Sequence, residues 1–141
     1  MQFLNRYVFC ALLVVLSLGF ATPSFAQALK VADRGADCLA LGTAIQKITQ
    51  VEPKTSEEAF TFLNTIAQGV QEVKLSEATL KELQTGYAKA IVNLAQAIKV
   101  IGDKNPKAEP FKSEVFKPAF EAFTTEITPL SKQGRAACTP S

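Results

Sequence analysis

The stretch TSEEAFTFLNTIAQGVQEV, Thr55 to Val73, decides how the chain reads. It opens on a capping box. Thr55 stands at the N-cap position and Glu58 follows three residues on, so each side chain can satisfy a backbone N–H of the first turn. Ala59, Leu63, Ile66, Val70 and Val73 then recur at steps of 4-3-4-3, which is one face of an α-helix. Phe60, Phe62 and Ala67 widen the stripe. The spacing predicts a helix over 56–73. A half-buried strand would alternate with period two, and no segment of the chain does so.

The same period continues on both sides. Upstream, Cys38, Leu41, Ile45 and Ile48 fall on one helical face, with Gln46, Lys47 and Gln50 on the other, and Pro53 as the stop. This predicts a first helix over 37–51, capped by Asp33 or Asp37. Residues 27–36 carry no clear period. Downstream, Leu83, Tyr87, Ala90, Leu94 and Ile98, joined by Ile91 and Ile101, predict a helix over 77–101. Ser76 or Thr79 is its expected cap. Thr79 and Glu82 form a second capping box, and Glu77 faces Lys81 at i,i+4 in the favourable order. Gly102 is placed to end this helix. A loop from Asp103 to Pro110 follows, with Pro106 and Pro110 as breakers. Phe116, Phe120, Phe123, Ile127 and Leu130 then repeat at 4-3-4-3 and predict a fourth helix over 116–133. Pro118 fits as its first residue, where a missing N–H does no harm. Pro129 is expected to kink the helix or end it one turn early. Gly134 precedes the tail that carries Cys138. Gly42, Gly69 and Gly86 fall in helix interiors and read as tolerated defects.

The N-terminus reads as an export signal. Arg6 is the only charge before Lys30, an apolar run spans Val8 to Phe20, and Ser24 and Ala26 stand at −3 and −1 of a small-x-small cleavage site. Cleavage is expected between Ala26 and Gln27, taking Cys10 with it and leaving a single domain, 27–141. The apolar run falls short of the ~20 residues a spanning helix needs, so no stable membrane span is expected after removal. The expected location is exported: periplasmic, lumenal or secreted. Two cysteines remain, Cys38 and Cys138, and an even pair in an exported chain predicts a disulfide. Short links between four amphipathic helices predict an all-α fold, an antiparallel up-down-up-down four-helix bundle. In that order the start of the first helix and the end of the fourth lie at the same end. Cys38 and Cys138 stand at those two places.

Composition closes several classes of chemistry. The 141 residues hold 15 Lys+Arg, 13 Asp+Glu and no His. Without His there is no Ser-His or Cys-His pair and no His-ligated haem or zinc. Interspersed charges near neutrality argue against nucleic acid as a partner. No Ser precedes a Lys by three positions, no Gly-rich phosphate loop occurs, and no carboxylates stand at i,i+3. Asp33 and Asp37 are the single acidic i,i+4 pair and fit helix-start capping better than a cation site. No catalytic residue, metal or cofactor is expected. The expected function is that of a small non-catalytic interaction or accessory protein, with an unidentified protein partner. The alternative is a carrier of an apolar small molecule bound between helices. It rests on the Phe-rich last helix. The candidate apolar ligand or partner surface is Phe62, Phe111, Phe116, Phe120 and Phe123.

Overall fold

The computed structural model describes residues 28–49 and 51–139. The export signal, its cleavage after Ala26 and Cys10 lie outside the described residues. Among the described residues four α-helices follow one another: α1 (Ala28–Gln46), α2 (Ser56–Gln71), α3 (Ala78–Lys104) and α4 (Lys117–Cys138). A 3-10 turn, Lys47–Thr49, closes α1, and another, Glu114–Phe116, leads into α4. Among the described residues there is no strand, and no helix is long and apolar enough to cross a membrane.

The capping box at α2 forms as its residues dictate. Thr55 is extended, its hydroxyl accepts the Glu58 N–H at 3.2 Å, and the Glu58 carboxylate accepts the N–H of Thr55 at 3.3 Å and of Lys54 at 2.9 Å. The helix buries Ala59, Leu63, Ile66, Ala67 and Val70, which is the periodic stripe. α3 is the central element. Leu80, Leu83, Ile91 and Ile98 are fully buried, and the helix packs along α2 on one side and α4 on another. Glu57 of α2 pairs with Lys99 of α3 at 3.0 Å, and Lys99 also lies 5.5 Å from the centre of the Phe60 ring. Tyr87 and Asn93 of α3 bond Ser131 and Glu126 of α4. α1 lies more lightly on the other three, through Cys38, Leu41, Ala44 and Ile45, with Ile48 of the closing turn.

Helix boundaries depart from the sequence expectations where local pattern and tertiary contact disagree. α1 begins at Ala28, well before residue 37, because Ala28 to Ala32 are mostly good helix formers and propensity sustains a stretch without an apolar period. Asp37 is therefore inside α1 and cannot cap it; the side chain of Asp33 is outside the described part. α3 has Glu77 at its N-cap with no side-chain cap of its own, and Thr79 is already helical, so the Thr79–Glu82 capping box does not form. Glu77 turns to Arg34 of α1 rather than to Lys81. Gly102 does not stop α3, which runs on to Lys104. Asn105 closes it, donating its N–H to the Gly102 carbonyl and its Nδ2 to that of Ile101, both at 2.9 Å. In α4, Pro118 is the second helical residue, and Pro129 neither ends the helix nor precedes a non-helical tail. Pro129 and Thr125 are both exposed, so the Thr125 carbonyl loses its i+4 donor where water is at hand. Gly134 is helical and Cys138 is the last residue of α4.

The interior glycines differ from one another. A methyl group at Gly69 or Gly42 would meet open space, as expected for a tolerated defect. One at Gly86 would come within 2.8 Å of Leu130 Cδ2, so here the helix approach between α3 and α4 is what the glycine permits.

Candidate functional site at the disulfide end

Cys38 and Cys138 are bonded, with their Cα atoms 6.0 Å apart and 100 positions of sequence between them. Cys38 is buried and Cys138 half-buried. The bond joins the middle of α1 to the end of α4. Three sets of polar side chains join the helices, two of them beside this bond.

The first is built on Asp37, the neighbour of Cys38. It is 8% exposed, and its Oδ2 accepts the Ser76 N–H at 2.7 Å, the Ser76 hydroxyl at 2.8 Å and the Glu77 N–H at 3.1 Å. Those amides lie just before α3, where a negative charge is favoured by the helix dipole. Asp37 thus caps α3 from another helix. Burial pushes its carboxyl pKa up, but the Ser76 hydroxyl, the two amides and the charge of Lys81 outweigh burial and hold it below the ordinary value of 3.8. Beside it, Arg34 Nη2 meets Glu77 Oε1 at 3.0 Å.

The second is Gln84. Its Nε2 donates to the carbonyls of Val70 and Val73, both at 2.7 Å, and of Gln71 at 3.2 Å. The last carbonyls of a helix have no donors within it, and Gln84 supplies them to α2 from α3. The link between α2 and α3 is therefore held at both ends by inserted side chains.

The third is the Tyr87–Ser131 pair. The Tyr87 hydroxyl donates to Ser131 Oγ at 3.1 Å in the interior. Burial raises the pKa of Tyr87 above its ordinary 10.0, against the lowering effects of Ser131 and Arg135. This pair borders a cavity of about 30 Å³ that Cys38, Leu41, Ile45 and Leu80 also line. That volume is room for one or two waters.

The five phenylalanines do not line this cavity. Phe116 and Phe120 are buried in the core, and Phe111 leans on Phe120 with ring centroids 5.3 Å apart. Phe123 is half-buried against the core. Phe62 packs partly against the core and borders an open depression with Thr55, Glu57, Glu58 and Thr61. So the structure joins Phe111 to Phe120, while Phe62 looks onto the start of α2.

Chemically, most polar groups at the disulfide end are already engaged, while Glu77 Oε2 is buried with no hydrogen-bond partner. A carboxylate held by three donors is a poor base, and a tyrosine with a raised pKa stays neutral. Among the described residues no three His, Cys, Asp or Glu side chains gather to hold a metal. Asp37, Gln84 and Ser131 were not picked out by pattern for these roles. Their signal was present: each is a polar residue next to, or in step with, an apolar stripe, as Gln84 is beside Leu83 and Ser131 is four residues after Ile127. No protein-family model, curated protein or solved structure matches this chain.

Proposed function

We propose that the protein is an exported, non-catalytic accessory protein that works through its surface by binding a protein partner in an oxidising extracytoplasmic compartment. In this reading the signal 1–26 is removed and residues 27–141 form one antiparallel up-down-up-down bundle. The contacts of Glu57 with Lys99 and of Gln84 with Val70 support the opposed directions of α2 and α3, and those of Tyr87 with Ser131 and Asn93 with Glu126 support them for α3 and α4. The disulfide fits an oxidising compartment.

The observation that carries a surface function is the filled space between helices. Leu63, Leu80, Leu83, Ile91, Ile98 and Phe116 are completely buried, and the cavity beside the disulfide has room for water rather than for a ligand. Phe116 and Phe120, the centre of the carrier reading, are spent on core packing. The surface left to a partner is of mixed charge, and among the described residues Leu39, Val51, Val100 and Val115 are its exposed large apolar side chains.

Native mass spectrometry of protein from its own host, paired with cross-linking in the intact cell, tests this. The expected result is the mass of residues 27–141 less two hydrogens, no small adduct, and one cross-linked protein that the purified chain binds saturably. A stoichiometric adduct of a few hundred daltons would replace this reading with the carrier.

A further inference from the structure

We propose that the Cys38–Cys138 bond is a reducible latch on α1: its reduction lets the first half of the described helix leave a three-helix core that stays folded. The inference stands apart from the partner reading, since it follows from how α1 is held.

The attachment of α1 is uneven along its length. Its C-terminal end is tethered to α2 by the chain through residues 47–55, and Ile45 and Ile48 bury their side chains there. Its earlier part is held by Arg34, Asp37, Cys38 and Leu41. Of these, Arg34 makes a partly exposed ion pair, Asp37 offers hydrogen bonds in place of apolar contact, and only Leu41 is a large apolar side chain. The cavity lies at this interface, so packing here is incomplete. By contrast α2 and α3 bury fully enclosed leucines and isoleucines, and Phe116, in the turn that leads into α4, is fully enclosed as well. α2 and α3 are also linked by Gln84, and α3 and α4 by Tyr87. Local opening follows segments with few buried apolar contacts, and within α1 that segment is residues 34–41, where Cys38 and Leu41 are the buried apolar side chains, ahead of Ala44 and Ile45.

The chemistry needs a dithiol reductant. Its thiolate attacks Sγ of Cys138, the half-buried partner, and Cys38 leaves as a thiolate that takes a proton. The reductant's second thiolate then displaces Cys138 from the mixed disulfide. Two electrons and two protons pass to the cysteines, and the reductant ends as its own disulfide. The released stripe and the face vacated by α1, with Leu80 and Tyr87, become accessible together.

Hydrogen exchange read by mass spectrometry on the oxidised and the dithiothreitol-reduced protein tests the latch. On reduction, exchange of amides in residues 34–41 is expected to rise at least about tenfold more than that of α2, α3 and residues 119–130, with 42–46 in between. An equal rise in all four helices would show a bond that staples the whole fold, and unchanged exchange in 34–41 would show that α1 is held without it. Either result overturns the proposal. The Cys38→Ser, Cys138→Ser double variant should reproduce the reduced pattern without any reductant, which separates loss of the bond from side effects of the reagent.

Discussion

The carboxylate of Asp37 accepts both the amide and the hydroxyl of Ser76, at 2.7 and 2.8 Å, across 39 positions of chain. One oxygen of α1 thereby does for α3 what a local cap does for α2. The remaining donor, the Glu77 N–H, reaches the same oxygen.

Asp37→Ala is expected to lower unfolding stability by about 1–3 kcal/mol, since it strands three part-buried donors. Asp37→Asn should cost less, because the amide carbonyl still accepts. The pH dependence has a definite sign. A carboxyl whose pKa is lower folded than unfolded stabilises above the unfolded value, and that contribution disappears as pH falls through the folded value. Urea titrations between pH 7 and pH 2 should therefore show a flatter acid limb in Asp37→Asn than in the parent.

Removing the disulfide should lower stability by a few kcal/mol. A loop of about 100 residues corresponds to about 4.7 kcal/mol in the chain-entropy picture, an upper figure for real bridges. Cys38→Ser or Cys138→Ser is expected to keep most of its helical circular dichroism at low temperature and to melt earlier. An equal melting temperature in oxidising buffer would contradict a stabilising bond.

The glycines make opposed predictions. Gly69→Ala adds a methyl group in open space and should stabilise by up to about 1 kcal/mol through helix propensity. A methyl at Gly102 would overlap Cβ and Oγ of Ser56, next to the capping box of α2. Gly102→Ala should therefore destabilise by about 1–3 kcal/mol despite the same gain in propensity. Denaturant midpoints of the two variants, measured side by side, should move in opposite directions.

Pro129 is an exposed proline in the interior of α4. Replacing it with alanine restores a donor for the Thr125 carbonyl and removes the ring's clash with the preceding turn. Pro129→Ala is expected to raise stability by about 1–3 kcal/mol, the range set by proline's penalty in helix interiors. A thermal melt that stays put or falls would mean that the proline at this position is needed for packing on α3.

What was legible from residues alone was whatever is settled within a turn or two of chain. The Thr55–Glu58 capping box is local, so it forms as written. The 4-3-4-3 stripes name the buried faces because a helix puts those positions on one side whatever lies opposite. The cysteine pair could be matched by elimination, there being one partner once Cys10 is set aside. What only the tertiary structure decided are the polar contacts between helices. Thr79 and Glu82 have the letters of a capping box, yet α3 starts before them because Asp37 supplies the cap from 39 positions away. Glu77 has Lys81 at a suitable spacing and pairs instead with Arg34. Pro129 should break a lone helix, but Ile127, Leu130 and Ser131 pack on α3 and the bond at Cys138 holds the last turn. Apolar burial is non-directional and needs only a face, so its pattern can be read along the chain. A hydrogen bond needs one particular partner at about 3 Å, and which partner arrives there depends on how all four helices pack.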